Sequence, residues 1–73
     1  MIKMKAISIE SDYITLGQFL KHISLISTGG QAKFFLFENE VFVNGELEER
    51  RGRKLYNDDI ILIDDEEYKI LCS

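Results

Sequence analysis

Residues 28–54 read TGGQAKFFLFENEVFVNGELEERRGRK and contain, in order, a helix, a strand, a tight turn and a basic run. The helix is predicted from about residue 30 to residue 38. Its apolar positions Ala32, Phe35 and Leu36 follow the i, i+3, i+4 spacing that puts side chains on one face of a helix. The stretch therefore predicts an amphipathic helix that leads directly into a strand.

Residue types also mark the ends of this helix and the hairpin that follows it. Thr28 is the predicted N-cap, because its hydroxyl can accept a hydrogen bond from an amide of the first turn. Asn39 is predicted to end the helix in the left-handed conformation. Val41 and Val43 share one face of a strand, and Asn44-Gly45 is the strongest short signal for a two-residue hairpin turn. We expect positive φ at both turn residues.

The flanking sequence completes one small domain over residues 1–73, with a core motif over residues 15–63. A first helix is predicted from Thr15, its N-cap, to about residue 23, and the short segment 24–27 joins it to the second helix. Strands are predicted at residues 3–9, 60–63 and 68–71. The expected fold class is α+β, with a two-helix hairpin packed on a small, mostly antiparallel sheet.

Three helical residues have two interpretations each. Gly17 costs up to about 1 kcal/mol relative to alanine inside a helix, which indicates close packing or a bound partner unless it is simply tolerated. Phe34 and Phe37 lie off the apolar face of the second helix. They are suited to stacking on RNA bases, but partial burial against the strands is the favoured prediction.

Charge is unevenly distributed along the chain, whose formal net charge is −4. Four cations fall within residues 50–54, and six acids fall within residues 58–67. For a polyanionic partner the local field matters more than the total charge. Taken alone, the basic run is most simply a solvated loop.

Several functional classes find no support in the sequence. Cys72, the single cysteine, excludes an internal disulfide, and no apolar run is long enough to span a membrane. The N-terminus lacks the apolar core of a signal peptide, so we expect a cytoplasmic protein. His22 lies fifty residues from Cys72 without a surrounding motif, and residues 64–67 lack the spacing of a calcium loop. We expect no catalysis, no metal and no cofactor.

Four motifs occur together in this chain, at Thr15 to Lys21, Thr28 to Lys33, Val43 to Glu46 and Arg50 to Leu55. In this order they resemble the RNA-binding domain named after ribosomal protein S4, also called the alpha-L RNA-binding motif. The similarity is greatest to its short stand-alone bacterial members, of the YaaA and YbcJ type. It covers residues 15–63, and the combination is far more specific than any one motif.

The resemblance implies a non-catalytic, monomeric module that binds structured RNA, either ribosomal or transfer RNA, in a ribosomal or nucleoprotein setting. It implies that the second helix faces RNA, with the backbone of its glycine-rich start and one lysine holding a phosphate. The hairpin turn would present the basic run to further phosphates, and Lys21 is a weaker addition. The candidate RNA-binding residues are Thr28, Gly29, Gly30, Lys33, Asn44, Gly45, Arg50, Arg51, Arg53 and Lys54.

The alternative function is a protein-interaction module. In that interpretation the basic run docks an acidic protein partner within a nucleoprotein assembly. The negative net charge keeps this alternative open. Co-purified nucleic acid that nuclease and salt remove would distinguish the two.

Overall fold

The computed structural model describes residues 3–72, which form two helices and two sheets. The larger sheet has the order β1-β7-β6-β3-β4, in which only the β1–β7 pair is parallel, and β2 pairs with β5 antiparallel. The α+β class with a mostly antiparallel sheet is thus confirmed. The elements are β1 (Lys3–Ile9), β2 (Tyr13–Thr15), α1 (Leu16–His22), α2 (Gln31–Glu38), β3 (Val41–Val43), β4 (Glu46–Leu47), β5 (Lys54–Tyr56), β6 (Ile60–Ile63) and β7 (Glu66–Cys72).

The turn between β3 and β4 has the conformation that its sequence predicts. Asn44 has φ 52° and Gly45 has φ 86°, so both lie in the left-handed region. The Asn44 side chain also connects this turn to the start of β6. Its Nδ2 donates to Asp59 Oδ1 at 3.1 Å, and its Oδ1 accepts from the amide of Ile60 at 3.0 Å. Asparagine here therefore supplies both the backbone conformation and a side-chain link between strands.

A single apolar cluster joins the helices to one face of the larger sheet. Alternate residues of β3 and β6 are buried, as a sheet with one covered face requires. Phe19 of α1 meets Tyr68 of β7 edge to face, with ring centroids 5.5 Å apart. The buried helical and strand side chains of this cluster include Leu16, Phe19, Leu20, Ala32, Leu36, Val41, Val43, Ile61, Ile63 and Ile70.

The predicted bounds of the second helix agree closely with α2, but the two predicted caps are wrong. The N-cap is Gly30, without a side-chain cap, and the Gln31 side chain instead accepts from the amides of Ser27 and Thr28. Asn39 is extended, with φ −128°, because its amide and its side chain both donate to the Phe35 carbonyl. The segment between the helices covers residues 23–30 and is longer than predicted, because α1 ends at His22 and α2 begins at Gln31.

The strands agree more closely, with one omission. The first strand and the 60–63 strand have the predicted bounds, and the last strand extends at both ends to Glu66–Cys72. The small β2–β5 sheet was not predicted as such, because three-residue strands are too short to show a period. Its central pair, Ile14 with Leu55, places the fully buried Leu55 against the core.

A substitution at Gly45 tests the β3–β4 turn. Gly45→Ala should destabilise the domain by about 1–2 kcal/mol, because a Cβ is unfavourable at positive φ. Gly52→Ala is the matched control, since that glycine also faces open space but its φ lies outside the left-handed range. Urea unfolding of both variants measures the difference. Equal stability of the two variants would contradict the turn assignment.

Candidate nucleic-acid interface

The first turn of α1 is held by two separate sets of hydrogen bonds. Thr15 and Gln18 form a reciprocal capping box, which confirms Thr15 as the N-cap. The next two amides donate to the basic run, Leu16 N to Arg53 O and Gly17 N to Arg51 O, each at 2.8 Å. The backbone of the basic run therefore completes the N-terminal end of α1.

Gly17 lies where α1, α2 and the basic run meet. A Cβ at this position would lie 3.4 Å from the carbonyl oxygen of Arg51 and 3.5 Å from the Cβ of Ala32. These are ordinary contact distances, so the three segments pack closely around this glycine. The structure therefore shows the close packing that one interpretation of Gly17 predicts.

Glu48 binds the basic run through both oxygens of its carboxylate. The Glu48 side chain is only 7% exposed. Its Oε2 accepts from the amides of Glu49 and Arg50 at 3.1 Å and from Arg50 Nε at 2.9 Å. Its Oε1 accepts from Arg50 Nη2 at 3.1 Å and from Arg53 Nη1 at 2.8 Å. These bonds, chiefly those from Arg50, lower the pKa of Glu48 to about 2, and burial opposes the shift only in part.

The four cations of the basic run consequently differ in their surroundings. Arg50 and Arg53 both bind Glu48, although the Arg50 side chain is 75% exposed and the Arg53 side chain 32%. Lys54 Nζ lies 4.9 Å from the centroid of the Tyr13 ring. Among the described residues, no carboxylate lies within salt-bridge distance of the Arg51 side chain. Arg51 is thus the cation of the run most available to an external anion.

The start of α2 and the basic run line one shallow depression of about 300 Å³. Gly29 contributes from the helix start, Arg51 and Gly52 from the basic run, and Gln18 from α1. The Thr28 amide already donates to Gln31, whereas no described residue accepts from the amides of Gly29 and Gly30. Gly29 and Arg51, which are 22 residues apart in sequence, thus face the same space.

The remaining candidate residues lie around this depression or apart from it. Lys33 lines a neighbouring depression of about 480 Å³ between α2 and Glu49. Lys21 lines a third one with Gln18, which also borders the first. Asn44 and Gly45 line none of the three, because their turn is bonded to the start of β6.

Phe34 and Phe37 are not buried against the strands, so that prediction is wrong. Their exposed fractions are 67% and 89%, and both line the Lys33 depression. The physical reason is the short helix, which buries only the side that carries Ala32 and Leu36. A helical projection of the sequence places both rings away from that side.

Within residues 3–72, no three His, Cys, Asp or Glu side chains are grouped so that they could hold a metal ion. None of the helices in that range has the length and apolar character needed to cross a membrane.

Known proteins with similar sequences agree with the family that the four motifs resemble. A family model described as the S4 domain matches residues 7–71. The chain belongs to the S4 domain family. A relative from Bacillus subtilis (strain 168), named "Probable ribosome maturation protein RlbA", is 57% identical over 58 residues, which cover 80% of this chain and 82% of the relative. The stand-alone S4-type resemblance is thereby confirmed.

The stability of this S4 domain should depend on the charge of Glu48. Its folded pKa of about 2 lies below the ordinary 4.5, so its contribution is complete above pH 4.5 and is lost as the pH falls towards 2. Glu48→Gln should destabilise the domain at pH 7, because a neutral amide binds the guanidinium groups of Arg50 and Arg53 less strongly than a carboxylate does. Urea unfolding from pH 7 to pH 2 measures both effects.

The neighbouring Glu49 supplies the control. Its side chain is exposed and accepts no hydrogen bond from a described residue, so Glu49→Gln should unfold like the wild type at every pH. Glu48→Gln should lose less stability than the wild type between pH 4.5 and pH 2. Parallel curves for the wild type and Glu48→Gln would contradict the assignment.

Proposed function

We propose that this S4 domain is a non-catalytic module that binds structured RNA, of ribosomal or transfer type, through the helix starts and the basic run. The observation that carries the proposal is the shared depression, where Gly29 and Arg51 face the same space. The relative's name supports a role in ribosome maturation, and such a role belongs in the cytoplasm.

The chemistry of the depression suits a phosphate group. Gly29 and Gly30 have no side chains, so an anion can approach their amides at the positive end of α2. Arg51 borders the same space and can donate to a phosphate through two parallel N–H groups. Lys33, one turn further along α2, adds a point charge. Contacts of this kind fix position and read RNA shape more than sequence.

The negative net charge does not oppose this function, because part of the acidic residues lie away from the helix starts and the basic run. Glu40, Asp64 and Asp65 line a separate depression with Phe42 and Leu62, and no basic residue borders it. An RNA chain on the helix starts would contact the basic run first. At physiological ionic strength, charges beyond about 8 Å are largely screened.

Salt-dependent binding of purified ribosomal RNA and of a transfer RNA tests the proposal. Arg51→Gln, Lys54→Gln and Lys33→Gln together should flatten the slope of log affinity against log salt by about two to three units. Arg50 and Arg53 are left intact, because their removal would leave the Glu48 carboxylate buried without a partner. Circular dichroism should show an unchanged fold.

Lys5→Gln is the matched control, since Lys5 is exposed on β1, at the opposite edge of the sheet from β4. It should keep the wild-type slope. A triple variant with wild-type affinity and slope would exclude the helix starts and the basic run as the RNA site. Displacement of the RNA by poly-glutamate of equal total charge would favour the acidic-protein alternative.

A further inference from the structure

Phe34 and Phe37 form an exposed aromatic surface on α2, hereafter the aromatic step. Phe37, at 89%, is the most exposed large hydrophobic residue among those described. The step borders a depression of about 480 Å³, which Leu36 closes with further apolar surface. Exposed aromatic rings are costly in water, at about 25 cal/mol per Å², so a partner that covers them gains free energy.

The aromatic step continues the proposed phosphate site along the same helix. Lys33 and Phe37 are four residues apart, so they follow one another on one face of α2, and Gly29 lies just before the helix at its N-terminal end. The rise from Gly30 to Phe37 is about 10 Å, which one or two nucleotides of an extended strand can cover. The loop after β4 borders both depressions, with Arg51 beside the first and Glu49 beside the second.

We propose that the aromatic step stacks an unpaired base of the RNA whose phosphate lies at Gly29, Lys33 and Arg51. The inference rests on the proposed function and adds the class of RNA that the site selects. An exposed phenyl ring offers a base a flat apolar surface, and every base has a π-face to place on it. A base inside a regular duplex is stacked on both sides and cannot reach the step.

The charged residues at the step indicate which part of a nucleotide covers it. Glu38 and Glu49 border the depression and would repel a phosphate, whereas their oxygens can accept from the N–H groups of a base edge. Lys33, at the end nearer the helix start, attracts the phosphate instead. The arrangement therefore places the backbone at Lys33 and the base on Phe37. The preferred RNA has a bulge, loop or junction beside a duplex.

The test uses a labelled RNA hairpin with a purine bulge, the same hairpin fully paired, and the same hairpin with an abasic bulge. The wild type should bind the bulged hairpin more tightly than the other two. Phe37→Ala and Phe37→Leu should each weaken binding to the bulged hairpin about 5- to 100-fold, because leucine keeps apolar area but has no ring. Both variants should keep the wild-type salt slope and melting temperature, since the ring is almost fully exposed.

Met4→Ala is the control, because Met4 is an exposed apolar residue on the edge strand β1. It should bind all three hairpins like the wild type. Equal losses on paired and bulged hairpins, or none, would overturn the inference while the salt slope still supports RNA binding. Loss in Phe37→Ala but not in Phe37→Leu would overturn stacking, because apolar area without a ring would then be enough for RNA binding. Absence of salt-dependent binding by the wild type would overturn the proposed function itself.

Discussion

The buried carboxylate of Glu48 is the interaction on which this side of the molecule depends. Four cations within five residues repel one another, and a loop of that composition has no reason of its own to adopt one conformation. Glu48 compensates with five hydrogen bonds, two from backbone amides and three from the guanidinium groups of Arg50 and Arg53. Because its lone pairs are satisfied, the cost of burying the charge is offset.

Other contacts follow from the conformation that Glu48 fixes. With the loop held in place, the carbonyls of Arg51 and Arg53 point at the first amides of α1 and accept from them. The Arg51 backbone then lies so close to α1 that a Cβ at position 17 would contact the Arg51 carbonyl oxygen at 3.4 Å. The same glycine brings α1 against Ala32 of α2. One carboxylate thus connects the basic run to the relative position of both helices.

The sequence predicts well where a signal is local and poorly where it depends on distant partners. The Asn44-Gly45 turn, the β6 strand and the Thr15 cap each depend on residues within a few positions, and the structure has them. The caps at Thr28 and Asn39 failed because backbone and side-chain partners competed for the same groups. Gln31 reaches back to accept two amides, and Asn39 caps the Phe35 carbonyl from an extended conformation.

The same dependence on distant partners limits what the sequence predicts about the candidate site. The sequence does not distinguish Glu48 from the neighbouring acids Glu46 and Glu49, since burial of a charge is decided by how β4 and the loop pack. Phe34 and Phe37 were expected to be partly buried because small domains use their aromatic residues in the core. That reasoning ignored the size of α2, whose eight residues have one narrow buried face. The helical period already placed both rings outside it, so the information was present in the sequence.

The division of roles within the basic run separates stability from binding. Arg50 and Arg53 are bound by Glu48, and their loss acts first on the fold. Arg51 contributes its carbonyl to α1 while its side chain remains available, and Lys33 projects from a helix that is already formed. When a ligand binds these groups, little of the protein backbone remains to be ordered. Less of the binding free energy is therefore lost to conformational entropy. A domain of this size, with modest stability to spare, gains most from a binding surface that folding has already arranged.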